Sequence, residues 1–510
     1  MVLASQAQHG MWITEMMHGG GTAYHMPFAM WFDGPLDREA MLKACESVLA
    51  RHPVLGCAFE DRDGELHLVP AADRPPVGFV RAADADGLLR EEIARPFDLG
   101  RGPLARFTLA EVEPSRHLLL FVGHHLVFDG MSKDLLVRDL AAAYSGGPLP
   151  PLPMPYGAAA AIPPEAAAYW HEHWRDRPTV VIDGVAGTAR TAGRGETVLF
   201  DLTGEMSGWE GIGVTRFELF LAAVHALLFR YGNAEPAVAV AMSTRRPETR
   251  EHIGLFATEL PLYSAPTPDT TLAELARDLR ARLRELNRFR DIPAARAAGG
   301  IRPRPALAPV SISFRRRAAD VVFPGLGLVA EWKMSNHMVR NVLHLQAVDG
   351  DDGLRLTLHH SSEVIGREHV ERAGEHLRAV LAADPGLQLA DLPLPAAAPV
   401  PASAPVKAPV LSAAAGAVDG DLVEAPVPGA ATGAVDGELV EQVRQIWMEV
   451  LRIEELAPDE DLYDLGGHSL TITQISARIR KRLGVEVPFD VFLDDPTVAG
   501  VAAAVSELRA

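Results

Sequence analysis

The chain has 510 residues, 48% hydrophobic and 23% charged, which gives room for about three domains with ample core. A formal charge of -19 at pH 7 argues against nucleic acid or an anionic membrane surface as a partner. Two cysteines, Cys45 and Cys57, exclude a disulfide framework and a paired-cysteine metal site. With no leader pattern and no apolar run of about 18 residues, a soluble cytoplasmic protein is expected.

Taken in order, Leu3 to Trp12 predicts a first helical turn with a buried aromatic. Tyr24 to Phe32 predicts an aromatic-rich strand closed by a turn at Asp33, Gly34 and Pro35. Met41, Ala44, Cys45 and Val48 recur at helical spacing, and the helix runs into Arg51 and His52, the latter read as structural. Pro96 to Arg106 is a turn-rich connection. The apolar run from Leu118 then predicts a buried strand that ends in two histidines, His124 and His125, followed by a turn signal at Asp129 and Gly130. Side chains alternate along a strand, so one histidine can enter a cleft while the other fixes the backbone. A neutral imidazole in a cleft is the usual general base near pH 7.

Ala167 to Trp174 predicts a helix carrying Tyr169, Trp170 and Trp174, expected to pack on a first lobe of residues 1–178. A composition shift over 179–196 suggests a crossover into a second lobe of residues 196–394. There Thr215 and Glu218 form a capping box that opens an apolar helix through Phe229. A buried strand follows at Ala237 to Met242, a strand pair at Val342 to Leu358, and a helix at Glu368 to Leu381. Residues 395–436 are rich in Pro, Ala, Gly and Val with little charge, and read as a flexible linker with an r.m.s. span of roughly 35 Å. Beyond it, residues 437–510 read as a small helical domain. They carry fourteen acidic against seven basic residues, which suits docking to basic partner surfaces. Within it, two glycines and His468 precede Ser469 at the start of a helix patterned by Ile472, Ile475 and Ile479. Unpaired amides at such a helix start favour a phosphate ester.

The histidine stretch resembles the HHxxxDG motif of nonribosomal peptide synthetase condensation domains. Ser5 to Trp12, Arg51 to Phe59, Pro96 to Arg106 and Ile253 to Pro261 resemble the family's other motifs. Gly56 stands where the family usually has arginine, and Thr258 and Glu259 depart from its Asn and Thr. The stretch from Asp464 to Ser469 resembles the site of peptidyl carrier proteins. The resemblance implies a two-lobed α/β fold like chloramphenicol acetyltransferase, followed by a small all-α four-helix carrier domain. It implies that His125 is catalytic beside His124, that Asp129 pairs with an arginine, here Arg246, and that Ser469 carries 4′-phosphopantetheine. The Gly130 amide is a candidate oxyanion donor.

The implied reaction is amide formation between a donor acyl or peptidyl thioester and an aminoacyl acceptor. Its implied partners are a phosphopantetheinyl transferase, an upstream donor carrier and an adenylation enzyme acting in trans. Ester formation, release to a free amine or alcohol, and a non-catalytic docking and carrier module are the alternatives.

Overall fold

The computed structural model describes all residues apart from 1, 19–20, 63–64, 158–162, 189–191, 207–208, 210–211, 295–305, 317–320, 333, 351–352, 396–436, 452, 454, 463–464, 466–468, 489–490 and 510. The expected linker at 395–436 therefore lies almost wholly outside the described residues.

The first lobe is built on a five-stranded sheet in the order Gly327–Ala330, His25–Asp33, Arg116–His124, Ala105–Glu113, Val77–Arg81. Its central strand, Arg116–His124, is apolar almost throughout because it faces two cores. Leu119 and Phe121 enter one with Phe28, Phe107 and Phe128, while Leu118, Leu120 and Val122 enter the other with Leu89 and Ile93. The helices Arg38–Arg51 and Ser132–Tyr144 pack against each other, and both bury side chains in the first of these cores. Asp37 caps the earlier helix by accepting from the Ala40 amide, and Met41, Ala44, Cys45 and Val48 form its buried stripe.

The second lobe carries a seven-stranded mixed sheet in the order Ala257–Tyr263, Ala237–Ser243, Val310–Arg316, Leu343–Gly350, Gly353–Ser361, Gly193–Asp201, Met338–Val339. The helix Arg216–Arg230 starts with both halves of the Thr215–Glu218 capping box formed, and it buries a continuous run from Leu219 to Leu228. Such a helix is apolar all round because the sheet and the helices Leu272–Leu286 and Arg367–Ala382 surround it.

Two expectations need correction. Trp170, on the helix Pro164–His173, is buried in the second lobe's core rather than against the first lobe, because Val180 and Ile182 of the hairpin that follows carry the chain into that core. The lobes are also not two consecutive stretches of chain. Gly327–Ala330 leaves the second lobe and pairs antiparallel with His25–Asp33, and Phe323 beside it packs on Phe32 in the first core.

At the C-terminal end, the helices Gly437–Leu451, Ser469–Leu483, Val491–Asp494 and Val498–Arg509 enclose a separate core of Val443, Ile446, Trp447, Ile475, Phe492 and Val501. The described residues contain no helix long and apolar enough to cross a membrane.

Candidate active site

The strand Arg116–His124 delivers the histidine pair. His124 faces His25 in the sheet register, and its ring is fully buried. The Leu126 amide donates to its Nδ1 at 3.2 Å, and its Nε2 lies 2.7 Å from Glu15 Oε2. The donation from Leu126 puts the proton on Nε2, on the side of the Glu15 carboxylate of the helix Gln6–His18. The chain then turns through a short 3-10 segment, His125–Val127, which swings His125 out of the sheet. The His125 amide donates to Tyr24 O at 2.8 Å, and its Nδ1–H donates to Phe128 O at 2.8 Å. With Nδ1 occupied as a donor, Nε2 is left as the lone-pair nitrogen on the cavity side. Burial, and then the charge of Arg340, push the His125 pKa below the ordinary histidine value, while Asp129 and the Phe128 carbonyl oppose them. The imidazole is neutral at pH 7.

Asp129 borders the cavity, but its carboxylate is not free to act as a second base. Its carboxylate is 1% exposed and receives five hydrogen bonds: from Arg245 Nη1 at 2.5 Å and Nη2 at 3.0 Å, from the Ser132 amide and hydroxyl at 2.9 and 2.8 Å, and from the Phe256 amide at 3.0 Å. Burial favours its protonated form, but Arg245 and the Ser132 donors outweigh it and hold the pKa below the usual aspartate range.

The expected partner, Arg246, is corrected to Arg245. Arg245 is buried and its guanidinium also lies 4.7 Å from the centre of the Phe256 ring, whereas Arg246 is exposed and pairs with Asp291 at 2.8 Å. Consecutive residues in extended chain point opposite ways, so only one of the pair can turn inward. The Gly254 amide donates to Ser132 Oγ at 3.1 Å, and a side chain at Gly254 would run into the Tyr156 ring, so glycine suits this close crossing.

A cavity of about 640 Å³ opens beside His125. The first lobe contributes Met11, Tyr24, Met26 and Gly130, and the second contributes Phe256, Thr258, Phe314, Arg340 and His344. A β-carbon on Gly130 would meet nothing within 4 Å, so its backbone borders open space. Thr258 and Glu259 both line the cavity, and Glu259 pairs with Arg340 at 2.9 Å. Arg340 in turn stacks over Tyr24 at 5.3 Å. Glu259 is thus committed to a cation beside His125. His52 is a core residue, 1% exposed, with Nε2 bonded to Asp139 at 2.8 Å.

Sequence reasoning missed Glu15, Arg340 and Lys133 as neighbours of this centre. Glu15 and Arg340 carry no local signal, since only the packing of the helix Gln6–His18 and the lobe seam bring them near the histidines. Lys133 was detectable as a charge in the first turn of an otherwise buried helix start.

Ser469 is the first residue of the helix Ser469–Leu483, and Ile472, Ile475 and Ile479 anchor that helix in the carrier core. The start of an anchored helix suits a phosphate ester, so the arrangement fits 4′-phosphopantetheine on a serine at this end. The preceding glycines and His468 lie outside the described residues.

Residues 1–394 match the family model described as Condensation domain, and residues 441–505 match that described as Phosphopantetheine attachment site, which carries 4′-phosphopantetheine covalently on a serine. The chain is 27% identical over 437 residues to chondramide synthase cmdD of Chondromyces crocatus, covering 76% of this chain and 11% of that protein. It is 25% identical over 419 residues to surfactin synthase subunit 2 of Bacillus subtilis, covering 76% and 12%. The chain thus spans about a tenth of the length of these relatives. Among solved structures, it resembles the X-domain from teicoplanin biosynthesis with a TM-score of 0.64 at 22% identity, covering 77% of this chain and 97% of that one. It resembles the first condensation domain of the calcium-dependent antibiotic synthetase equally, with TM-score 0.64, 22% identity and 77% and 98% coverage.

Proposed function

Because the chain belongs to the condensation-domain family and carries a phosphopantetheine attachment domain behind it, we propose that it joins a donor acyl or peptidyl thioester to an aminoacyl acceptor by an amide bond. The arm supplies a thiol on a long tether, to which an acyl group is joined as a thioester. Ser469 is the attachment residue in this reading, and an adenylation enzyme acting in trans loads it after a phosphopantetheinyl transferase has installed the arm. Cytoplasmic location belongs to the same reading.

The observation that carries the proposal is the hydrogen bond from His125 Nδ1 to Phe128 O, which leaves Nε2 as the acceptor beside the cavity. In the transfer, the acceptor nitrogen bonds to the thioester carbonyl carbon, and the C–S bond then breaks. His125 Nε2 takes the proton the nitrogen must lose and returns it to the leaving thiolate. In this reading the Gly130 amide donates to the oxyanion. Asp129 and Arg245 hold the loop that carries both groups. Tethering raises the acceptor's effective concentration to roughly the millimolar range, so positioning contributes alongside base catalysis.

The test follows intact-protein mass after arm installation and loading, on addition of a carrier-bound donor. Growth by the mass of the donor acyl group, slowed about a hundredfold in His125→Ala, supports the proposal. Loss of the loaded group to a free molecule would instead make the protein a releasing transferase. An undiminished rate in His125→Ala would make it a docking module.

A further inference from the structure

Immediately after the histidine loop, the helix Ser132–Tyr144 places a lysine in the cavity wall. Lys133 is 6% exposed, and its ammonium lies 5.2 Å from the centre of the Phe28 ring. Its single hydrogen bond to the protein among the described residues goes to Trp332 O at 3.3 Å, although an ammonium has three donors. The neighbouring carboxylate, Asp134, is taken by Arg315 at 2.8 Å, and Arg315 lies 4.8 Å from the centre of the Trp332 ring. Lys133 thus shares this stretch of wall with the half-buried Arg315, and Arg316 adds a third, exposed cation beside them.

A buried ammonium without an anionic partner is costly, and proteins keep one where a ligand completes the pair. We propose that Lys133 and Arg315 form a carboxylate-binding subsite, so that one of the two substrates joined in the cavity bears a free acid group. The inference rests on the reading of the cavity as the substrate chamber. Burial, and then the nearby Arg315 charge, push the Lys133 pKa down to about 7 against the pull of Asp134, as expected of a cation still lacking its counter-ion. Trp332, which lines the same wall, would flank the chain leading to the acid, and a carboxylate can accept from both cations at once.

The subsite is tested by binding, apart from turnover, with pantetheine analogues that hold an amide in place of the thioester. Calorimetry on the full chain compares a succinyl with a butyryl analogue as donor mimics, and an aspartyl with an alanyl analogue as acceptor mimics. In one of the two pairs the acid-bearing member is expected to bind about tenfold more tightly, and that pair identifies which substrate carries the acid. Lys133→Met should erase the preference while leaving the neutral member's affinity unchanged, and Lys133→Arg should retain it. Equal affinities in both pairs of the native protein, or a preference that survives Lys133→Met, would overturn the proposal. Because nothing reacts, the same measurement in His125→Ala separates the subsite from the identity of the base.

Discussion

Arg245 and Asp129 meet through two parallel hydrogen bonds, Nη1 to Oδ2 at 2.5 Å and Nη2 to Oδ1 at 3.0 Å, across the seam between the lobes. Arg245→Ala would leave the Asp129 carboxylate buried without its cation, at a cost of about 3–5 kcal/mol. Arg246→Ala removes an exposed pair and should cost no more than about 1 kcal/mol. Urea denaturation of the two variants checks the contrast. Equal losses would show that Arg245 is not the structural partner.

For His125, the depressed pKa sets the sign of the pH dependence. The base works only when neutral, so its contribution is complete at neutral pH and lost as pH falls through a value below 6.5. The acceptor's ammonium titrates as well, so log rate should fall with a slope approaching two at low pH in the native protein. In His125→Ala the slope should be one, and the rate at pH 7.5 about a hundredfold lower. Rapid-quench assays from pH 5 to 8 distinguish the two profiles.

Glu15 tests the role of the other histidine. The Glu15 carboxylate lies 2.7 Å from His124 Nε2, so Glu15→Leu removes the nearest acceptor from a buried ring and should destabilise the fold by about 1 kcal/mol. Glu15→Gln keeps an acceptor oxygen and should recover most of that loss. Thermal melting of both variants decides it, and equal melting temperatures would remove this contribution.

Acid sensitivity follows from two other buried histidines. Burial lowers the His25 pKa to about 4 and the His225 pKa to about 3. Between pH 6.5 and about 4 the unfolded chain binds a proton at each site that the native chain refuses. Stability should therefore fall as pH falls, by about 1.4 kcal/mol per pH unit for each site. Denaturation midpoints measured at pH 7 and pH 5 check the slope, and His225→Asn should reduce it.

Much of the centre was legible because its signals are local. The apolar strand, the adjacent histidines and the Asp–Gly turn sit within one short stretch from Leu118 to Gly130, and the capping box runs only from Thr215 to Glu218. What escaped depends on pairing between distant segments. Alignment by one position could not decide between Arg245 and Arg246, since either arginine satisfies the pattern and only the turn of the chain selects the inward one. An aromatic on a short helix does not specify which core receives it, so the pattern around Trp170 does not reveal that the second lobe's core takes it. Nothing near Gly327 announced that its strand would pair with His25–Asp33, since strand register is chosen by the partner's edge.

That return strand constrains how the molecule is made. As the chain emerges, the edge of His25–Asp33 stays bare until Ala330 has been synthesised, a wait on the order of tens of seconds. A bare edge is a template for pairing with another nascent chain. The first lobe expressed alone would keep that edge open for good, so residues 1–178 should aggregate where residues 1–394 remain dispersed. The lobes are thus one folding unit, completed from its far end backwards.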